Sequence, residues 1–208
     1  SFCLQLIPPA EVGARLSLRP LSMFAAAALR QAVGDEDAYP CFALGHPLKL
    51  DGLLDDPAWR WVPEVAGFFR QQTAAGGDDG LQVLPGVVEA EGPREFVTSA
   101  LSYFQAGYTR DALVIAVRCY QPNADALPAK KEGGPDLWQG DCVRIDIVPG
   151  DGKERNSFFM NPLAARWPDG WNVATSRLQS SWLAEAAIPF SKLGEPKPGD
   201  TWRVNISR

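Results

Sequence analysis

Acid–base and metal chemistry have few residues to work with in this sequence. His46 is the only histidine among 208 residues, and it sits beside Pro47 in a turn-like setting. A serine–histidine–aspartate site would have to use it, and no Gly-x-Ser-x-Gly elbow presents a serine. The four cysteines, Cys3, Cys41, Cys119 and Cys142, include no Cys-x-x-Cys pair, so the spacing of a zinc site is missing. There is no His-Glu-x-x-His, no phosphate-binding P-loop and no Gly-x-Gly-x-x-Gly. Carboxylates occur in pairs, Asp55 with Asp56 and Asp141 with Asp146, but neither pair has the marks of acids set a defined distance apart across a glycosidase cleft. Cations are also outnumbered: 20 Lys and Arg against 25 Asp and Glu leave a net charge of −5, the wrong sign for a nucleic-acid partner. No apolar run approaches the roughly 18 residues of a membrane span. The composition therefore points to a protein that binds rather than catalyses, with no nucleic acid and no membrane among its partners.

Hydrophobic residues make up 46% of the chain and charged residues 22%, enough for an ordinary core. With 19 glycines and 18 prolines the elements must be short and often interrupted, which favours strands and turns over a helical bundle. The expected class is all-β, an antiparallel β-sandwich with a short N-terminal helical segment. Two apolar runs, Tyr103–Tyr108 and Leu113–Cys119, flank the polar Thr109-Arg110-Asp111 and read as a hairpin. Val143, Ile145 and Ile147 alternate with Cys142, Arg144 and Asp146, giving one core face and one polar face. Further strands are expected at Ser157–Asn161, Trp171–Arg177, Trp182–Ile188 and Trp202–Ser207. Residues 1–38 read as a separate segment, partly helical, ahead of a sandwich over 39–208. Within it Leu21, Phe24, Ala25, Ala28, Leu29 and Ala32 share one helical face, for packing against the domain or for docking on a partner or a membrane surface. Two long loops are expected, Gln71–Pro93 and Pro122–Pro135.

Five phrases in order carry a resemblance: Leu48–Trp59 (LKLDGLLDDPAW), Tyr108–Cys119 (YTRDALVIAVRC), Leu137–Asp146 (LWQGDCVRID), Trp182–Phe190 (WLAEAAIPF) and Gly199–Arg208 (GDTWRVNISR). Together they resemble the family-9 carbohydrate-binding modules, within the wider group of DOMON-like β-sandwiches. The resemblance implies a non-catalytic, secreted bacterial domain that binds a glycan or a sugar chain end by aromatic stacking. Such domains often accompany glycan-degrading enzymes, and some hold structural calcium. Trp138 corresponds to the stacking aromatic, whose flat ring suits the apolar face of a pyranose. Arg144 stands where the family has a glutamate that accepts a sugar hydroxyl, and arginine only donates. Asn161 resembles a polar position facing the ligand. The family's final strands, with a second stacking tryptophan, follow the segment matching Trp202–Ser207, and the sequence stops at Arg208.

Several residues keep two readings. Trp138 is either a platform or a rim or core tryptophan. Trp59, Trp182 and Trp202 read as core, while Trp167 and Trp171 flank a turn and read as exposed. Asp51, Asp55 and Asp56 are candidates for structural calcium or simply for a turn. Glu185, Asn205 and Arg208 are expected to cluster on one sheet face. The cysteines read as disulfides or as buried thiols. Two other functions stay open: an assembly protein that self-associates or joins a larger protein through an open sheet edge, and a haem domain using Met23, Met160 or His46 as axial ligands.

Overall fold

The computed structural model describes residues 2–7, 38–45, 48–66, 69–71, 95–97, 102–121, 127, 129–150, 152, 154–196 and 200–208. Its strands are β1 (Phe2–Ile7), β2 (Ala38–Ala43), β3 (Val65–Ala66), β4 (Phe69–Gln71), β5 (Glu95–Val97), β6 (Ser102–Tyr108) and β7 (Ala112–Tyr120). They continue with β8 (Val143–Val148), β9 (Asn156–Met160), β10 (Arg166–Trp167), β11 (Asn172–Leu178), β12 (Ser181–Pro189) and β13 (Thr201–Ser207). One four-residue helix, Phe190–Leu193, follows β12.

Among the described residues one sheet runs β10-β9-β8-β13-β1-β2-β6-β7-β12-β11, with β3 added beside β6 and β4–β5 apart as a small ribbon. Side chains from its two halves meet in a single core: Val143, Ile145, Ile147 and Val204 from one half, Leu113, Ile115, Val117 and Ile188 from the other. The sheet thus turns back on itself as a β-sandwich. The all-β expectation holds, and so do the strands read from alternation, to within a residue or two at their ends. Pairing is antiparallel except at β1–β2 and β2–β6, which are parallel. The N-terminal stretch contributes β1, placed between β13 and β2. The helical face at 21–32, Met23, His46 and nearly all of the Gln71–Pro93 loop lie outside the described residues.

The β6–β7 hairpin shows how local chemistry sets the register. Thr109 bonds its N–H to the Ala112 carbonyl at 2.9 Å, and its hydroxyl accepts the N–H groups of Asp111 and Ala112. The side chain thereby does the work of a backbone turn. Trp171, Trp182 and Trp202 are fully buried, and losing one to alanine would cost about 3–5 kcal/mol. Trp171 departs from the exposed reading: its ring meets Phe158 edge-on at 5.4 Å and its indole N–H donates to the Pro168 carbonyl. Met160 is also fully buried, among apolar side chains.

A second apolar cluster lies on the outer face of β7 and β12. There Trp59 and Val62 pack on Val114 and Ala116, flanked by Leu44, Leu48, Leu50 and Leu54. The 44–62 segment therefore covers one outer face of the sandwich. The outer face of β8, β9 and β13 instead carries Arg144, Asp146, Ser157, Arg203 and Asn205, of which Arg203 is exposed, Asp146 is buried and the others are partly buried.

Candidate functional site

Trp138 lies on a single 3-10 turn, Leu137–Gln139, leading into β8. Leu137 is buried beneath it, so the turn is held by its neighbour while the Trp138 side chain is 64% exposed. A core reading of Trp138 is thereby removed. Leaving an indole in water forgoes a large burial gain, and exposed indoles are common on binding surfaces.

The loop before the turn is pinned from below by Asn161. That residue is almost completely buried, and both ends of its amide are hydrogen-bonded. Its Nδ2 donates to the Lys130 carbonyl at 2.7 Å, while its Oδ1 accepts the N–H groups of Leu163 and Ala165 at 3.0 and 3.1 Å. Lys130 in turn donates to Asp136 and Gln139, on either side of Trp138. The Lys130 contact holds the Asp136 carboxyl below its ordinary pKa. Gly133 passes so close to the Arg166 carbonyl that a Cβ there would collide with the oxygen, so only glycine allows this approach. Asn161 thus does not point outward, as the resemblance implied; it reaches Trp138 only through Lys130.

Arg144 occupies the outer face of β8, two strands in from the β10 edge. Its Nε donates to Asp146 Oδ1 at 2.9 Å, and its guanidinium carbon lies 5.4 Å from the centre of the Phe159 ring. Phe159 pairs with Arg144 on one side and with Trp167 on the other. The Phe159 and Trp167 rings are 5.6 Å apart, and Trp167 is 37% exposed. Arg144, Phe159 and Trp167 therefore form a row across three strands. Sequence reading marked Trp167 as exposed but gave it no partner, because the row exists only through the β8–β9–β10 register.

The calcium candidates do not fit a metal. Asp51 accepts the Leu53 N–H and pairs with Lys49 at 2.9 Å, which keeps its carboxyl below the ordinary range. Asp56 accepts the Lys49 N–H. These oxygens serve turn donors instead of converging on one point, and no metal-holding group of acids, histidines or cysteines occurs among the described residues. The expected Glu185, Asn205 and Arg208 cluster is likewise absent. Glu185 is buried under the 51–59 segment, Asn205 stands opposite Asp146, and Arg208 grips Asp141 with two 2.9 Å bonds. Their strands belong to different parts of the sheet. Cys41, Cys119 and Cys142 are free thiols.

Among solved structures the fold is similar to a family-9 carbohydrate-binding module from Caldicellulosiruptor kristjanssonii in complex with cellotriose. The identity is 17%, over 79% of this chain and 73% of that one, with a TM-score of 0.53. A family-9 module from the same organism in complex with glucose matches at 16% identity, over 79% and 74% of the two chains, with a TM-score of 0.51. These likenesses establish a family-9-like sandwich fold. No protein-family model and no curated protein matches the sequence.

Proposed function

We propose that this protein is a non-catalytic carbohydrate-binding module whose platform is Trp138. The observation that carries the reading is an indole held almost two-thirds exposed on a turn that Asn161 and Lys130 brace from below. Prepaid ordering of this kind lowers the entropy cost of binding a flexible glycan. The family-9 modules of similar fold, in complex with cellotriose and with glucose, support a sugar as the ligand. The Phe159–Trp167 pair offers a separate apolar surface for a second ring, and Arg144 supplies hydrogen-bond donors beside it. Asn161 belongs to the site as a positioning residue. An exported bacterial domain, joined to a larger glycan-processing protein, is the setting this reading implies.

Titration calorimetry against a panel of neutral and acidic oligosaccharides tests the reading. Trp138→Ala is expected to weaken binding by about tenfold or more, the worth of one well-placed aromatic contact. Its stability should stay within about 0.5 kcal/mol of the parent, because an exposed side chain contributes little to folding. Binding of no glycan, or equal binding by Trp138→Ala, would refute the proposal.

A further inference from the structure

We infer that the outer face of β8, β9 and β13 selects an anionic sugar, carrying a carboxylate or a sulfate, through Arg144 beside the Phe159–Trp167 pair. This rests on the glycan-binding reading and names the class of sugar.

The first observation is the posture of Arg144. One edge of its guanidinium is fixed by Asp146, and its central carbon lies over the Phe159 ring, 5.4 Å from the ring centre. Among the described residues its two terminal nitrogens make no hydrogen bond. A half-exposed arginine is thus held in one orientation with two donors unspent. That fork matches the two oxygens of a carboxylate or sulfate, whereas a single hydroxyl uses only part of it.

The second observation is the local charge. Asp146 is shared: Arg144 lies 2.9 Å and Arg155 3.9 Å from the same oxygen, which also accepts the Ser157 hydroxyl. Two guanidiniums around one carboxylate leave a positive excess. Arg203, on the exposed face of β13, adds another positive charge and donates to the Gly152 carbonyl. This excess sits on a chain whose net charge is −5. A neutral sugar gains little from it, while an anionic one gains both attraction and the bidentate bond. Trp167, at the edge of the row, receives the apolar face of the same or the next ring.

Calorimetry with three oligosaccharides of equal length tests the inference: a neutral β-glucan fragment, an oligouronate and a sulfated oligosaccharide, each at low and raised salt. At least one anionic ligand is expected to bind about tenfold or more tightly than the neutral one, with affinity falling as salt rises. Whichever anionic arm binds identifies the charged group. Arg144→Gln should abolish the preference and leave weak neutral binding, and Arg144→Lys should restore only part of it. Arg155→Gln, at a more exposed position, should reduce the preference and reads the same charge excess if Arg144 variants fail to fold. Equal affinity for neutral and anionic ligands, or a preference untouched by either substitution, overturns this inference while leaving glycan binding intact. Binding of none of the three overturns both. A single-stranded oligonucleotide that binds as tightly as the best sugar also overturns it, because charge alone would then suffice.

Discussion

At the scale of single residues, Glu185 explains why the LKLDGLLDDPAW phrase has its form. Its carboxylate is fully buried, with Oε1 accepting the Trp59 indole N–H at 2.7 Å. Oε2 accepts the N–H groups of Asp51 and Gly52 at 3.0 and 2.8 Å. Three donors hold an ion that would otherwise be costly to bury, and the ion binds the 51–59 segment to β12. Gly52 is required at the contact: its φ is +78°, and a Cβ would lie 2.6 Å from the Thr175 carbonyl carbon. Replacing Glu185 by alanine strands three donors and is expected to cost about 3 kcal/mol. Glu185→Gln keeps the shape but turns an amide N–H toward a donor, and should cost about 1–2 kcal/mol. Urea unfolding measures both. A loss below about 0.5 kcal/mol in the alanine variant would contradict the anchoring role.

At the scale of elements, the connection between β9 and β10 decides where Trp138 is held. Asn161 closes its own turn through Leu163 and Ala165 and ties down Lys130, 31 residues earlier in the chain. Asn161→Ala is expected to cost about 2 kcal/mol by leaving buried backbone groups unpaired. It should also weaken glycan binding several-fold with the Trp138 side chain intact, which hydrogen exchange across 129–140 would register as faster opening. Unchanged exchange there, with only global stability lowered, would make Asn161 a core residue and no more. The strands were legible in the sequence because alternation is a local, periodic signal: Val143, Ile145 and Ile147 face inward whatever lies elsewhere. This tether was not legible, since a side chain bonded to a distant carbonyl leaves no periodic trace. The two tryptophans around Pro168 make the same point. Trp167 and Trp171 share a turn-rich stretch, yet one stands exposed beside Phe159 and the other is sealed against Phe158. Only the strand register separates them.

At the scale of the whole molecule, the sandwich is closed by contacts between segments far apart in sequence. Arg208 binds Asp141 with both arms of its fork and also donates to the Tyr120 carbonyl, while Trp182 donates to the same aspartate at 3.0 Å. The end of β13, the entry to β8 and the end of β7 are thereby joined. Burial is the largest single effect on Arg208 and opposes its charge, but the Asp141 hydrogen bond and the charge interactions of Cys119 and Asp141 together raise the guanidinium's pKa. The thiols report whether this closure is cooperative. Cys41 and Cys119 are fully buried on opposite sides of β6, and burial alone drives the Cys41 thiol far above its ordinary value. Cys119 is pushed up to about 12, again by burial first. Cys142 is only partly buried, with a smaller rise from burial and from the charge of Asp141. Because the thiolate is the reactive form, alkylation of the folded protein at mildly alkaline pH should modify Cys142 ahead of Cys41 and Cys119. Cys41 and Cys119 should react only as fast as the molecule opens, at rates that rise together with urea, read peptide by peptide by mass spectrometry. A single cooperative sandwich requires those two rates to converge on one opening free energy. Modification of Cys119 well ahead of Cys41 would mean that the Asp141–Arg208 end of the molecule opens on its own.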